Sequence, residues 1–196
     1  MPVPKYSLRT AVAMVAALNL AYFGVEFSVA LSIGSVSLFA DSIDFLEDTA
    51  VNFLIFAAIG WSAYKRSIVG MFLAAILLAP GIATLWMTWA KLGQPIPPDA
   101  VSLSLTGTGA LVVNALCALI LATFRKHTSS LTKAAYLSAR NDAVANIAII
   151  VAGIATAATA SVWPDVVVGL GIFAINIDAA RDVFAAARRE RVKAKA

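Results

Sequence analysis

The chain has 196 residues but little charge, one cysteine and one histidine. Charged residues make up only 13% and hydrophobic residues 61% of it, whereas a soluble domain has about 25% and about 45–50%. The mean hydropathy is +0.86. These values exclude a water-soluble globule and a disordered chain, and they predict a protein whose solvent is the lipid bilayer.

The scarcity of cysteine and histidine also excludes an internal disulfide bond and a histidine-rich metal site. Cys117 cannot form an internal disulfide bond, and His127 cannot anchor a histidine-rich metal site. The first apolar stretch is too long for the hydrophobic region of a signal peptide and lacks a cleavage site. We therefore expect this stretch to be retained as a membrane helix.

Six apolar stretches are separated by turn residues or charges, and each could cross a bilayer, which takes about 20 residues. They cover residues 8–31, 36–64, 68–90, 101–124, 131–158 and 163–187. We expect an all-α membrane protein with six transmembrane helices. The predicted organisation is a transport domain over residues 1–187 and a basic tail over residues 188–196.

The lysine and arginine residues are distributed unevenly along the chain. With six spans both termini share one side of the membrane, and that side collects these basic residues: Lys5, Arg9, Lys65, Arg66, Arg125, Lys126, Lys133, Arg188, Arg189, Arg191, Lys193 and Lys195. The other side collects only Lys91. The positive-inside rule therefore predicts cytoplasmic termini. We interpret the basic tail as a topology signal in contact with lipid headgroups rather than as a nucleic-acid-binding segment.

The second stretch carries an unusual cluster of acidic residues. At about 100° per residue, one stripe about 80° wide carries four polar side chains: Asp41, Asp44, Asp48 and Asn52. Glu47 lies beside this stripe, and the opposite face carries lipid-compatible residues such as Phe45 and Leu54. Each aspartate costs about 2.5–3.5 kcal/mol at the centre of a membrane helix. The stripe must therefore face the interior of the bundle.

The fifth stretch repeats this pattern. Ser138, Asp142 and Asn146 are four residues apart and stack on one face, whereas Arg140 points elsewhere. The second and fifth helices run in opposite directions, so Asp48 and Asp142 are predicted at a similar depth near the middle of the membrane. Facing each other, the two stripes form an oxygen cage for a cation. The alternative is a buried polar cluster without a ligand, either held by Arg140 or protonated.

The ligand chemistry favours a divalent ion. Three carboxylates with a hydroxyl or amide group favour a divalent over a monovalent cation. Oxygen ligands suit Mn, Mg and Ca, whereas imidazole or thiolate ligands would have indicated Zn or Cu.

Three segments resemble signatures of the cation diffusion facilitator family. Residues 34–48 (GSVSLFADSIDFLED) resemble its second-helix signature, a Gly-Ser-x-Ser-Leu-x-Ala-Asp lead followed by His or Asp, three residues and Asp. Residues 141–146 (NDAVAN) resemble its fifth-helix signature, and residues 163–170 (WPDVVVGL) resemble the start of its sixth helix. The resemblance extends in order from about residue 10 to residue 187.

The resemblance implies efflux of a divalent transition metal, such as zinc or cobalt, from the cytoplasm in exchange for protons. The metal would be the transported substrate, and no resident cofactor or catalysis is expected. The resemblance carries four ligands over to this chain: Asp44, Asp48, Asp142 and Ser138. Ser138 stands where the family usually has histidine, which weakens the expectation for zinc and leaves cobalt, nickel, iron, manganese and cadmium open. Water, Asp41, Asn141 or Asn146 could complete the site, and Glu47 and Asn52 are further supporting candidates.

The chain ends at the sixth helix, whereas most family members carry a cytoplasmic C-terminal domain. We therefore expect a short form in which membrane helices alone hold any homodimer, in a bacterial-type cell membrane. Two further sets of residues are candidates for the ion pathway. Glu26 in the first helix lines the pathway or, as we expect, pairs with Arg140. Asp178 and Asp182, four residues apart, form a cytoplasmic entrance or a solvated interfacial pair.

Two other functions compete with this interpretation. Membrane phosphatidyl transferases also hold metals with Asp, three residues and Asp, but they require an Asp-Gly pair, which occurs nowhere in this chain. They also need glycine four residues before the first aspartate, where this chain has Ala40. A passive cation channel remains the second alternative, and a proton-gradient requirement for flux would distinguish it from a carrier.

Overall fold

The computed structural model describes residues 7–58, 61–62, 65, 68, 82–124 and 130–193, and over parts of residues 130–137 and 178–193 it describes the backbone alone. Within these residues the chain forms six helices and no strand. They are α1 (Leu8–Ile33), α2 (Val36–Ala58), α3 (described over 82–93), α4 (Ala100–Ala122), α5 (Ser130–Thr159) and α6 (Trp163–Lys193). The predicted all-α class is confirmed.

Three of the described helices are long and apolar enough to cross a membrane. They cover Leu8–Ile33, Ala100–Ala122 and Ser138–Thr159, and a shorter apolar helix covers Trp163–Ile177. Helix α2 is as long as α4, with 23 residues each, but its four carboxylates lower its apolar character. Helix α6 extends to Lys193, beyond the predicted end at residue 187, and most of the predicted third stretch lies outside the described residues.

The connection between α1 and α2 is a single tight turn at Gly34. Gly34 has φ 63°, a left-handed conformation that glycine adopts without steric strain. The Lys91 ammonium group donates a hydrogen bond of 2.5 Å to the Gly34 carbonyl oxygen. Because the turn is this short, α1 and α2 form an antiparallel hairpin with closely paired residues.

Asp165, near the start of α6, caps the start of α2. Its buried carboxylate accepts hydrogen bonds from the Val36 N–H (2.8 Å) and the Ser37 N–H (3.1 Å). It also accepts from the Ser37 hydroxyl (2.6 Å) and the Ser35 hydroxyl (2.7 Å). A negative charge at a helix N-terminus satisfies free N–H groups and complements the helix dipole. This contact fixes the start of α2 against α6.

Helix α4 is capped at its N-terminus by Asp99, the residue directly before it. The Asp99 carboxylate accepts a hydrogen bond of 2.8 Å from the Ser102 N–H. Hydrogen bonds from the Ser102 side chain and backbone hold the pKa of Asp99 below its usual 3.8. Asp99 is therefore ionised at neutral pH, as a helix N-terminus favours.

Helix α2 packs against α1, α5 and α6, while α4 packs against α1 and α5. Two apolar clusters fill the bundle at different levels. The cluster near the Gly34 turn contains these buried residues: Ala30, Leu38, Phe39, Ala40, Ile43, Leu103, Ile149 and Ile172. The cluster at the other end contains these: Val12, Val15, Ile55, Cys117, Leu121, Ala135 and Ala139. Four of the buried polar residues lie between the two clusters along their helices: Asn19, Asp48, Asn114 and Asn146.

Many large apolar side chains remain on the outside of the bundle. Leu105 is 68% exposed and Trp89 is 74% exposed. A water-soluble monomer rarely exposes so much contiguous apolar surface. The surface is therefore that of an integral membrane protein, with its polarity collected inside.

Candidate functional site

The Ser138 hydroxyl on α5 lies between a carboxylate of α2 and one of α5. Its oxygen is 3.0 Å from Asp48 Oδ1 and 3.4 Å from Asp142 Oδ2. A serine hydroxyl has one proton to donate, so it serves one carboxylate at a time, and the shorter contact is to Asp48. Carboxylates from two different helices thus converge on one hydroxyl group inside the bundle.

Two further helices hold Asp48 in place. The Asn19 amide on α1 donates a hydrogen bond of 3.4 Å to the second oxygen of Asp48. The Cys117 thiol on α4 donates in turn to the Asn19 side-chain oxygen, at 3.4 Å. Asp48 is only 4% exposed. Its orientation is therefore set by contacts from α1 and α5 together.

Asp44 lies one turn from Asp48 along α2 and is 8% exposed. It interacts electrostatically with Asp142, Asp41 and Asp48. Among the described residues, no three histidine, cysteine, aspartate or glutamate side chains are close enough together to hold a metal ion. The four residues predicted as ligands therefore form a pair of carboxylates bridged by Ser138, with Asp44 beside them.

A second polar contact between α2 and α5 lies nearer the Gly34 turn. The Asn146 amide donates a hydrogen bond of 2.5 Å to Asp41 Oδ2. The Asn114 amide on α4 donates to the Asn146 oxygen at 3.0 Å. Glu26 of α1 is fully buried beside Asp41. Asn19 and Asn114 both make hydrogen bonds between helices.

The remaining supporting candidates lie in other environments. Glu47 is half-buried and interacts with Asp48. The Asn52 amide donates a hydrogen bond of 2.8 Å to the backbone oxygen of Asp48, within its own helix. Asn141 is exposed and accepts a hydrogen bond of 3.3 Å from Arg140. Of these three residues, Asn141 points away from the carboxylates.

A known protein family matches most of this chain. A model of the cation efflux transmembrane domain matches residues 12–190, which include every candidate residue named above. The chain belongs to the cation efflux family. No curated protein matches it. Because the members of this family are transporters, membership favours transport over the phosphatidyl transferase alternative.

Two expectations about this cation efflux protein were wrong. Glu26 does not pair with Arg140, because Arg140 is exposed on α5 and bonded to Asn141, whereas Glu26 is buried beside α2. Phe45 does not face lipid, since it is 1% exposed and its ring centroid lies 5.1 Å from that of Tyr22. The reason is that α2 has neighbours on several sides, so its less polar face is covered as well.

The candidate cytoplasmic entrance of the cation efflux protein, Asp178 and Asp182, belongs to α6. The side chains of Asp178 and Asp182 lie outside the described residues, although the backbone of α6 is helical at both positions.

The sequence patterns did not predict the role of Asp165 in this cation efflux protein. The residue belongs to the WPDVVVGL segment, where an aspartate directly after Trp-Pro at a helix start is a signal for capping. Its partners on α2 are about 130 positions earlier in the chain. Spacing within one helix could not reveal them.

Proposed function

We propose that this protein is a secondary active transporter that exports a divalent transition-metal cation from the cytoplasm in exchange for protons. The observation that carries the proposal is the position of the Ser138 hydroxyl, within 3.4 Å of carboxylate oxygens of both Asp48 and Asp142. Buried ionisable side chains in membrane helices are costly, and they are found mostly where ions or protons pass.

The proposed ligands are Asp44, Asp48, Asp142 and Ser138. Asp44 and Asp48 are four residues apart on α2, which leaves their Cβ atoms about 5–6 Å apart on one face. A rotation of the Asp44 side chain would therefore add a third carboxylate to the two already converging on Ser138. Three carboxylates around one divalent cation would leave a single net negative charge to be balanced by hydrogen bonds.

The donor atoms of the proposed ligands indicate which metals would suit the site. All four proposed ligands bind through oxygen, and carboxylate and hydroxyl oxygens suit Mn²⁺ better than they suit Zn²⁺, which favours imidazole and thiolate. We therefore propose manganese ahead of zinc, with iron, cobalt, nickel and cadmium as the other candidates. Glu47 and Asn52 are proposed to support the site, and Asp178 and Asp182 are proposed as its cytoplasmic entrance.

Proton exchange follows from the chemistry of carboxylate ligands. Such ligands bind a metal only when deprotonated, so metal binding releases protons and metal release permits their return. Alternating access around a site near the middle of the membrane would then exchange one metal for protons.

The topology, location and assembly are also proposals. The excess of basic residues on one side supports cytoplasmic termini, a transport domain over residues 1–187 and a basic tail beyond it. A cell membrane of the bacterial inner-membrane type and a homodimer through membrane helices complete this proposal.

The decisive experiment is metal uptake by proteoliposomes, measured for Zn²⁺, Co²⁺, Ni²⁺, Mn²⁺, Cd²⁺ and Fe²⁺ with and without a pH gradient. We expect uptake of at least one of these ions, accelerated by a gradient that drives protons in the opposite direction. Liposomes carrying the Asp48→Asn protein provide the control for leakage.

The same experiment tests the channel alternative. A channel would conduct the ion down its own gradient at the same rate whether or not a pH gradient was present, and metal entry would move no protons. Such a result would replace the carrier by a channel. No uptake of any ion would contradict both.

A further inference from the structure

The Gly34 turn places α1 and α2 in a regular register. Asn19 is 15 residues before Gly34 and Asp48 is 14 residues after it, and these two side chains are hydrogen-bonded. Glu26 is 8 residues before the turn and Asp41 is 7 residues after it. The polar residues of the hairpin therefore form two layers. At 1.5 Å per residue, Asp41 lies about 10 Å along α2 from Asp48, nearer the turn.

The layer nearer the turn contains three carboxylate oxygens that no donor among the described residues reaches, and the two carboxyl groups that carry them lie within hydrogen-bond reach of each other. They are both oxygens of Glu26 and Oδ1 of Asp41, and both residues are 0% exposed. Buried polar atoms in native proteins nearly always have a partner. Two buried carboxylates this close together, with no donor from the described side chains, require either a shared proton or a cation between them.

The donors closest to this pair are already used. The Asn146 amide donates to the other oxygen of Asp41, and the Asn146 oxygen accepts from Asn114. The Tyr22 hydroxyl donates to the Thr106 backbone oxygen at 2.6 Å. None of these groups turns a free proton toward Glu26.

The described basic side chains near the bundle interior also have other contacts. Arg140 bonds to Asn141, Lys91 bonds to the Gly34 carbonyl, and Arg9 stacks over Phe56. The segment 69–81 contains no charged residue at all. The two carboxyl groups of Glu26 and Asp41 thus lack a side-chain cation in the part of the protein that the structure describes.

We propose that Glu26 and Asp41 form a second binding position for a divalent cation, one layer nearer the Gly34 turn than the Asp48–Ser138–Asp142 site. Two carboxylates and one divalent cation have no net charge, so a cation removes the penalty of burying the pair unpaired. A single proton would leave one negative charge. Asp44 lies between the two layers along α2.

This second position rests on the proposed function, because the ion it takes is the transported one. It implies that an ion on its way through the protein occupies two places in turn. The layer at Asp48 and the layer at Glu26 would be successive binding positions for the ion, separated by about two helical turns.

Mn²⁺ binding to the full-length protein in detergent tests the proposal, with free Mn²⁺ measured by electron paramagnetic resonance. We expect two Mn²⁺ ions per chain for the wild type and one for either Glu26→Gln or Asp41→Asn. The Asp142→Asn protein should also bind one ion, and the double variant Glu26→Gln/Asp142→Asn should bind none. Glu190→Gln, the same chemical change at the far end of α6, is the matched control and should bind two.

The outcomes separate the two proposals. A Glu26→Gln protein that still binds two ions, or a wild type that binds only one, overturns the second position. An Asp142→Asn protein that keeps both ions contradicts the central site of the proposed function instead. Because each single variant is expected to retain one ion, that retained ion shows that the variant is folded.

Discussion

The Ser138 hydroxyl of α5 donates a hydrogen bond of 3.0 Å to the Asp48 carboxylate of α2. The donor and acceptor are 90 residues apart in the chain and belong to antiparallel helices. A hydroxyl at this position holds the two helices together without adding a charge of its own. Asp48 is buried at this contact, whereas Ser138 and Asp142 are partly exposed.

The first prediction concerns the charges of the central site. Asp48→Asn and Asp142→Asn should each lower metal transport at least about tenfold, which corresponds to about 1.4 kcal/mol. Asparagine keeps the size and hydrogen bonds of the side chain but removes the charge that attracts the ion. Initial rates of metal uptake by proteoliposomes measure the effect, with Glu190→Gln as the control. Wild-type rates in both variants would show that the ion binds elsewhere.

A second prediction concerns metal preference. Ser138→His should raise the affinity for Zn²⁺ relative to Mn²⁺ by about tenfold, or about 1.4 kcal/mol, because imidazole is a better ligand for zinc than a hydroxyl group is. Ser138→Ala removes the hydroxyl without supplying a ligand and should produce no such preference. Competition binding of the two metals measures the ratio. An unchanged ratio in the histidine variant would mean that position 138 does not contact the ion.

The third prediction concerns pH. Metal affinity should increase with pH, because each carboxylate ligand that is protonated must lose its proton when the metal binds. Addition of metal to weakly buffered protein should therefore release protons, and a pH-sensitive dye detects them. The Asp48→Asn protein should release fewer protons per bound ion. Binding without proton release would contradict exchange of metal for protons at this site.

The cap on α2 leads to a fourth prediction. Asp165→Asn should lower the free energy of unfolding by about 1–3 kcal/mol, since it weakens hydrogen bonds from two backbone N–H groups and two hydroxyls to a buried charge. Asp99→Asn changes the exposed cap of α4 and should have a smaller effect. Thermal unfolding in detergent compares the two variants. Equal melting temperatures would show that the buried cap contributes no more than the exposed one.

The fifth prediction uses two glycines of α6. A Cβ atom at Gly169 would lie 2.8 Å from the backbone nitrogen of Ser37, and the backbone cannot rotate away. Gly169→Ala should therefore destabilise the contact between α2 and α6 by about 1–3 kcal/mol.

Gly171 provides the matched control for this change. Nothing lies within 4 Å of a Cβ atom there, so Gly171→Ala should be neutral or should stabilise the helix by up to about 1 kcal/mol. Thermal unfolding of the two variants measures the difference. A Gly169→Ala protein as stable as Gly171→Ala would show that α6 moves aside without penalty.

The sequence by itself determined the membrane environment, the helical class and the polar faces of α2 and α5. These properties depend on composition and on a period of 3.6 residues, and both are local. The stacking of Ser138, Asp142 and Asn146 and the outward direction of Arg140 follow from that period alone.

Only the tertiary structure decided which side chains meet across helices. It joined Asp165 to Ser37, placed Glu26 beside Asp41 rather than Arg140, and buried Phe45 against Tyr22. The physical reason is that the period of the helix determines which residues share a face, but it does not determine which neighbouring helix covers that face. The choice of neighbour depends on helix register and close packing, which the Gly34 turn and Gly169 decide through contacts far apart in the chain.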